Sequence, residues 1–163
     1  MLSATAVATV PLGSVAHAAP LPEIRVDTVH FQSYDIPNGT VFSLGHTLVG
    51  VPFLVDYTIT NIGEEGSELE LSNVTVPAGF SLVQAPAATL AAGQSTTLRI
   101  QCDAAGEGYY PGSVSMDTND ADENPFTIGV SCSVNASGTP GVLALWSSAA
   151  GGELMASQTL TLA

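Results

Sequence analysis

Few residues in this chain have types and spacing suited to chemistry. Cys102 and Cys132 are its two cysteines, four acidic residues (Asp117, Asp120, Asp122 and Glu123) crowd one short stretch, and histidines stand at 17, 30 and 46. Paired sulfurs can bridge or ligate a metal, but no histidine or further cysteine stands at ligand spacing to either one. Bunched carboxylates can hold a hard cation. Setting Asp120, Asp122 and Asn124 as the first ligands of an EF-hand puts Pro125 where glycine is needed and Ser131 where the closing glutamate belongs, so that motif fails. A hairpin turn of this composition can still hold calcium weakly through carboxylates and backbone oxygens. Asp117, Asp120, Asp122 and Glu123 therefore stand as calcium candidates against a plain solvated turn. The other acidic group, Glu64, Glu65, Glu68 and Glu70, reads as a loop and the exposed face of a strand. No G-x-S-x-G elbow is present, and nothing else selects a nucleophile. The expectation is no enzyme, no catalytic residue and no cofactor.

Composition narrows the partners. The chain has 163 residues and a formal net charge of −13, with two basic side chains, Arg25 and Arg99. Two arginines cannot line a nucleic-acid groove or anchor the chain on anionic lipid. Hydrophobic residues make up 45%, enough for a core, so disorder from low hydrophobicity is excluded. Sixteen glycines and ten prolines favour strands and turns over helices.

Residues 1–18 are uncharged and mildly apolar and end in Ala16-His17-Ala18, a triplet with small residues where signal peptidase requires them. They read as a secretory leader cut after Ala18, although no basic residue precedes the apolar run. Two later uncharged stretches, 71–98 and 124–152, are broken too often by Gly, Ser, Pro and Asn to span a bilayer as a helix. No membrane insertion is expected.

Between turn signals the chain alternates. Phe53, Val55, Tyr57 and Ile59 share one parity, as do Leu98, Ile100 and Cys102; Tyr110, Val114 and Met116; and Phe126, Ile128, Val130, Cys132 and Val134. Period two over such runs means half-buried strands. Between Leu69/Leu71 and Val74/Val76 the parity switches at Ser72-Asn73, which predicts a bulge. About seven or eight short strands over 22–134, without a convincing helix, predict an all-β, immunoglobulin-like antiparallel sandwich spanning 19–134. Cys102 and Cys132 both end inward-facing rows. In an exported chain that pattern is most simply a disulfide, and two buried thiols are the alternative.

Thr58-Ile59-Thr60-Asn61-Ile62-Gly63, Leu90-Ala91-Ala92-Gly93-Gln94-Ser95 and Thr118-Asn119-Asp120-Ala121-Asp122 together resemble three motifs of the choice-of-anchor D domain. That family is similar to the Hydin-type and major-sperm-protein branch of immunoglobulin-like sandwiches. Ala92 and Ala121 stand where the family usually has proline. The resemblance covers roughly 22–134. It implies an exported or surface-bound bacterial module without catalysis that works as a spacer, adhesive or assembly domain. Some members carry cysteines at the strand ends that hold Cys102 and Cys132 here, which supports the bridge.

Residues 135–141 read as a linker, and 142–163 as a C-terminal strand or hairpin with Leu143, Leu145 and Trp146 as interface candidates. Asn38, Asn73 and Asn135 head glycosylation sequons, which matter only in a host that glycosylates exported asparagines. The expected role is a secreted or cell-surface module, structural, adhesive or protein-binding, whose partners are other protein domains or copies of itself. One alternative is a filament subunit that donates a terminal strand. Another is a weak calcium- or carbohydrate-binding module.

Overall fold

Alternation along the chain sorts each strand into an inward and an outward row, and in the computed structural model the inward rows meet. The structure describes residues 18–28 and 34–136. Ten strands lie among them: β1 (Ile24–Thr28), β2 (Tyr34–Asp35), β3 (Val41–Leu48), β4 (Phe53–Asn61), β5 (Glu68–Thr75), β6 (Phe80–Gln84), β7 (Thr89–Ala91), β8 (Ser95–Cys102), β9 (Gly108–Thr118) and β10 (Phe126–Asn135). They form two five-stranded sheets, ordered β2-β1-β4-β8-β6 and β3-β10-β9-β5-β7. No helix is present among the described residues, so none is long and apolar enough to cross a membrane.

The expected sandwich is present, with more strands than the seven or eight read from the sequence. Four of the ten, β2, β3, β6 and β7, have no counterpart among the alternating runs. Nor is pairing antiparallel throughout, because β3 runs parallel to β10. That follows from the path of the chain: β1 pairs with β4 in the first sheet, and the chain then changes sheets so that β3 flanks β10 in the second.

Val26, Val55, Tyr57, Ile59, Leu98 and Ile100 of the first sheet pack with Leu69, Val114, Met116, Phe126, Ile128 and Val130 of the second in one buried cluster. Burial of these rows is the dominant stabilising term. A register shift between Ser72 and Thr75, with Asn73 at φ 49°, is the expected bulge. Cys102, at the end of β8, is disulfide-bonded to Cys132 on β10, tying one sheet to the other through the core. A disulfide fits an oxidising extracellular or periplasmic compartment.

The registers also give the sandwich two distinct ends. At one, β1 starts, β4 ends and the β9–β10 connection turns. At the other, β3 and β10 end together, Leu48 opposite Asn135. The linker beyond residue 136, the terminal segment 142–163 and residues 1–17 of the leader lie outside the described residues.

Candidate functional site

The site grows from Thr118, the last residue of β9. Its hydroxyl donates to the carbonyl of Glu123 at 3.2 Å and accepts the amide of Asp120 at 3.1 Å, while its own amide donates to Asn124 Oδ1 at 3.2 Å. These bonds fold the acidic loop back over the strand end. Asn119 then points toward β5, donating to the Glu68 carbonyl at 3.0 Å and accepting the Glu70 amide at 2.8 Å. Asp120 points the other way and is 2% exposed, with Oδ2 accepting the Ile24 amide at 2.9 Å. Adjacent residues of one loop thus grip both sheets.

Asn61, the last residue of β4 and part of the Thr58–Gly63 motif, is the second organiser. It is fully buried. Its Oδ1 accepts the amides of Glu23 at 3.3 Å and Gly63 at 2.9 Å, and its Nδ2 donates to the Leu90 carbonyl at 3.0 Å and to Ser67 Oγ at 3.3 Å. A side-chain amide offers two donors and two acceptor sites, and Asn61 uses both kinds to stitch three segments together.

These ties bring Glu23, Asp120 and Glu123 together, with one carboxylate oxygen from each within 4.8 Å of the others. Beside them is an open cleft of about 190 Å³ whose lining includes Glu23, Asp35, Ile62, Glu123 and Phe126. Partial desolvation first, then the charges of Asp120 and Asp122, raise the Glu23 carboxyl above its ordinary value. Glu123 is raised by desolvation first, then by Asp120, Glu23, Asp122 and Asp35. Like charges at this spacing disfavour joint ionisation. Both arginines are engaged elsewhere, Arg25 with Asp27 at 3.0 Å and Arg99 with Asp56 at 2.5 and 2.7 Å. Three convergent oxygens can ligate a hard cation but supply only part of the roughly six to eight that calcium takes.

Of the four calcium candidates, Asp120 and Glu123 enter the cluster. Asp122 is exposed and acts through its field. Asp117 stands apart, accepting Asn73 Nδ2 at 2.7 Å. Glu23 was missed, since it comes from the far end of the described chain and has no spacing signature in common with the loop. Cys102 and Cys132 form the disulfide rather than a pair of thiols. Leu143, Leu145 and Trp146 lie outside the described residues.

Sheet order, the parallel β3–β10 edge and the inter-sheet core define an immunoglobulin-like β-sandwich. No protein-family model matches the sequence, and no curated protein matches it. Solved structures do. A protein of unknown function from Porphyromonas gingivalis W83 is similar at a TM-score of 0.54 and 23% identity, over 72% of this chain and 49% of that one. The ASH/PapD-like domain 7 of human CEP192 is similar at a TM-score of 0.50 and 13% identity, over 83% of this chain and all of the domain. These likenesses show the fold. The chain spans about half the length of the Porphyromonas protein.

One expectation is corrected. Catalysis was excluded on the sequence, yet the matched structures include two Vibrio cholerae proteins, VesB protease and the secreted serine protease VesC. The exclusion is withdrawn. The likenesses have TM-scores of 0.46 and 0.44, span 30% and 21% of those chains, and assign this chain no activity.

Proposed function

We propose that this chain is an exported immunoglobulin-like interaction module of the choice-of-anchor D type, structural or adhesive in role, that binds other protein domains or copies of itself. The observation that carries the reading is the edge strand β6. It is hydrogen-bonded to β8 on one side, ends its sheet on the other, and leaves Leu82 and Val83 exposed. Among the described residues no strand pairs with its outer edge, and an edge of this kind accepts an added strand, with main-chain hydrogen bonds giving affinity and the alternating side chains specificity. The disulfide supports export, and so does the leader chemistry at Ala16-His17-Ala18.

Sedimentation at increasing concentration, wild type against Val83→Lys, tests the edge. Association weakened by the lysine supports pairing through β6. A monomer throughout removes copies of the chain as partners. Intact mass of the exported protein tests the cut after Ala18 and the bridged cysteines together.

A second reading, calcium binding, is favoured by the convergence of Glu23, Asp120 and Glu123. Calorimetry with calcium chloride tests it, and absence of heat together with an unchanged melting temperature dismisses it.

A further inference from the structure

Of the chain's asparagines, Asn38 alone is followed by glycine. That pair has a chemistry of its own. Glycine puts no side chain over its amide nitrogen, so the nitrogen of Gly39 can attack Asn38 Cγ. The new C–N bond closes a succinimide ring, and the side-chain nitrogen leaves as ammonia. Water then adds at either ring carbonyl and reopens the ring. One product is aspartate at position 38. The other is isoaspartate, in which the backbone runs through the side-chain carbons and gains a methylene.

The fold engages every polar atom that the first step needs. Asn38 Oδ1 accepts the Thr127 amide at 2.8 Å and the Thr127 hydroxyl at 3.2 Å, while Nδ2 donates to the Pro125 carbonyl at 3.2 Å. The attacking nitrogen is held too, since the Gly39 amide donates to the Thr127 carbonyl at 2.9 Å. Turning the Asn38 amide toward Gly39 would leave the Thr127 amide without its acceptor. The turn itself is closed by the Thr40 amide and hydroxyl, both on the Pro37 carbonyl, at 3.1 and 2.6 Å. Asn38 and Gly39 thus occupy both backbone groups of Thr127, just ahead of the first β3–β10 register pair, Val41 with Gly129. β3 is the outer strand of its sheet, so opening of this edge releases these bonds together.

Neither product refits the closed turn. An aspartate carboxylate has no proton to give the Pro125 carbonyl. It also adds negative charge at the end of the sandwich where Asp35 and Glu123 already repel. The extra methylene of isoaspartate moves Gly39 out of step with Thr127.

We propose that Asn38 is a deamidation site protected by the closed fold, and that its conversion irreversibly marks chains whose β3–β10 edge has opened. The proposal is independent of the interaction and calcium readings.

The full chain, held in mildly alkaline buffer either native or unfolded in urea, tests this. Chymotryptic peptide masses report amide-to-acid conversion at Asn38, and enzymatic methylation reports isoaspartate. Conversion is expected in urea, and to be slower by roughly tenfold or more in the native chain, where it follows the open population. Equal rates overturn the protection, and an Asn38 that stays intact in urea overturns the site. Below the unfolding transition, the native rate is expected to rise with urea in step with hydrogen exchange of the Gly39 amide. A rate indifferent to that exchange overturns the link to the edge. Asn38→Asp supplies one product directly. A urea midpoint below that of the wild type, or failure to fold, supports the irreversible mark, and an unchanged midpoint overturns it. The wild-type comparison needs no variant, so it decides even where the substitution unfolds the chain.

Discussion

Asp120 Oδ2 accepts the backbone amide of Ile24 at 2.9 Å across 96 residues of sequence. A loop carboxylate in the second sheet thereby fixes the first residue of β1 in the first sheet, next to the amide of Glu23 that Asn61 holds at 3.3 Å. Asp120→Ala leaves the Ile24 amide buried without its acceptor, so stability is expected to fall by about 1–3 kcal/mol. Asp120→Asn keeps an acceptor oxygen and removes a charge from a crowded cluster, and a smaller loss is expected. Urea denaturation of the two variants checks this. Equal losses would mean that the charge, not the hydrogen bond, does the holding.

Most of the core was legible in the sequence, because alternation belongs to each strand by itself. The rows of β4, β8, β9 and β10 could be read one at a time. The kink at Ser72-Asn73 was legible for the same reason, since a bulge shows as a change of parity. β3 was not, because Gly45 at φ +94° and the register shift between Ser131 and Ser133 break its alternation. A parallel edge leaves no local mark. The acidic loop could be picked out by composition, but its third carboxylate, Glu23, could not. Proximity of Glu23 to Asp120 is set by the β1–β4 and β9–β10 registers together, and neither segment encodes it alone.

The Cys102–Cys132 bond closes a loop with a sequence separation of 30. In the chain-entropy picture a loop of that size is worth about 3.6 kcal/mol at 25 °C. Reduction is expected to lower the unfolding midpoint without opening the native sandwich at once, since both sulfurs are fully buried. Thermal melts with and without reductant, each after equilibration under partially denaturing conditions, measure the difference. An unchanged midpoint once mass spectrometry shows free thiols would place the sandwich's stability elsewhere.

Tyr57 is buried in the core, and its hydroxyl has no hydrogen-bond partner among the described residues. Burial pushes the phenol well above its ordinary range. A buried hydroxyl without a partner costs free energy that the isosteric ring does not. Tyr57→Phe is expected to leave stability unchanged or raise it by about 1 kcal/mol, read from the urea midpoint. A loss above that size would show that the hydroxyl is satisfied after all.

Acidification should stabilise this protein before it denatures it. Glu23 and Glu123 both have carboxyls raised in the folded state, first by desolvation and then by the surrounding carboxylates. Where the folded value lies above the unfolded one, the folded state holds its proton more tightly. That contribution is fully present below the unfolded value, about 4.3 for glutamate, and is lost as pH rises through the folded value. The melting temperature is therefore expected to climb as pH falls from 7 toward 5. Glu123→Gln removes one of the two titrating groups and lowers the repulsion on the other. It should raise stability at pH 7 and flatten the slope between pH 7 and 5. Added sodium chloride should narrow the gap between wild type and variant by screening, because Glu23 and Asp122 are exposed. A wild type and a Glu123→Gln variant with parallel pH profiles would show that the crowding at this end of the sandwich has no energetic consequence.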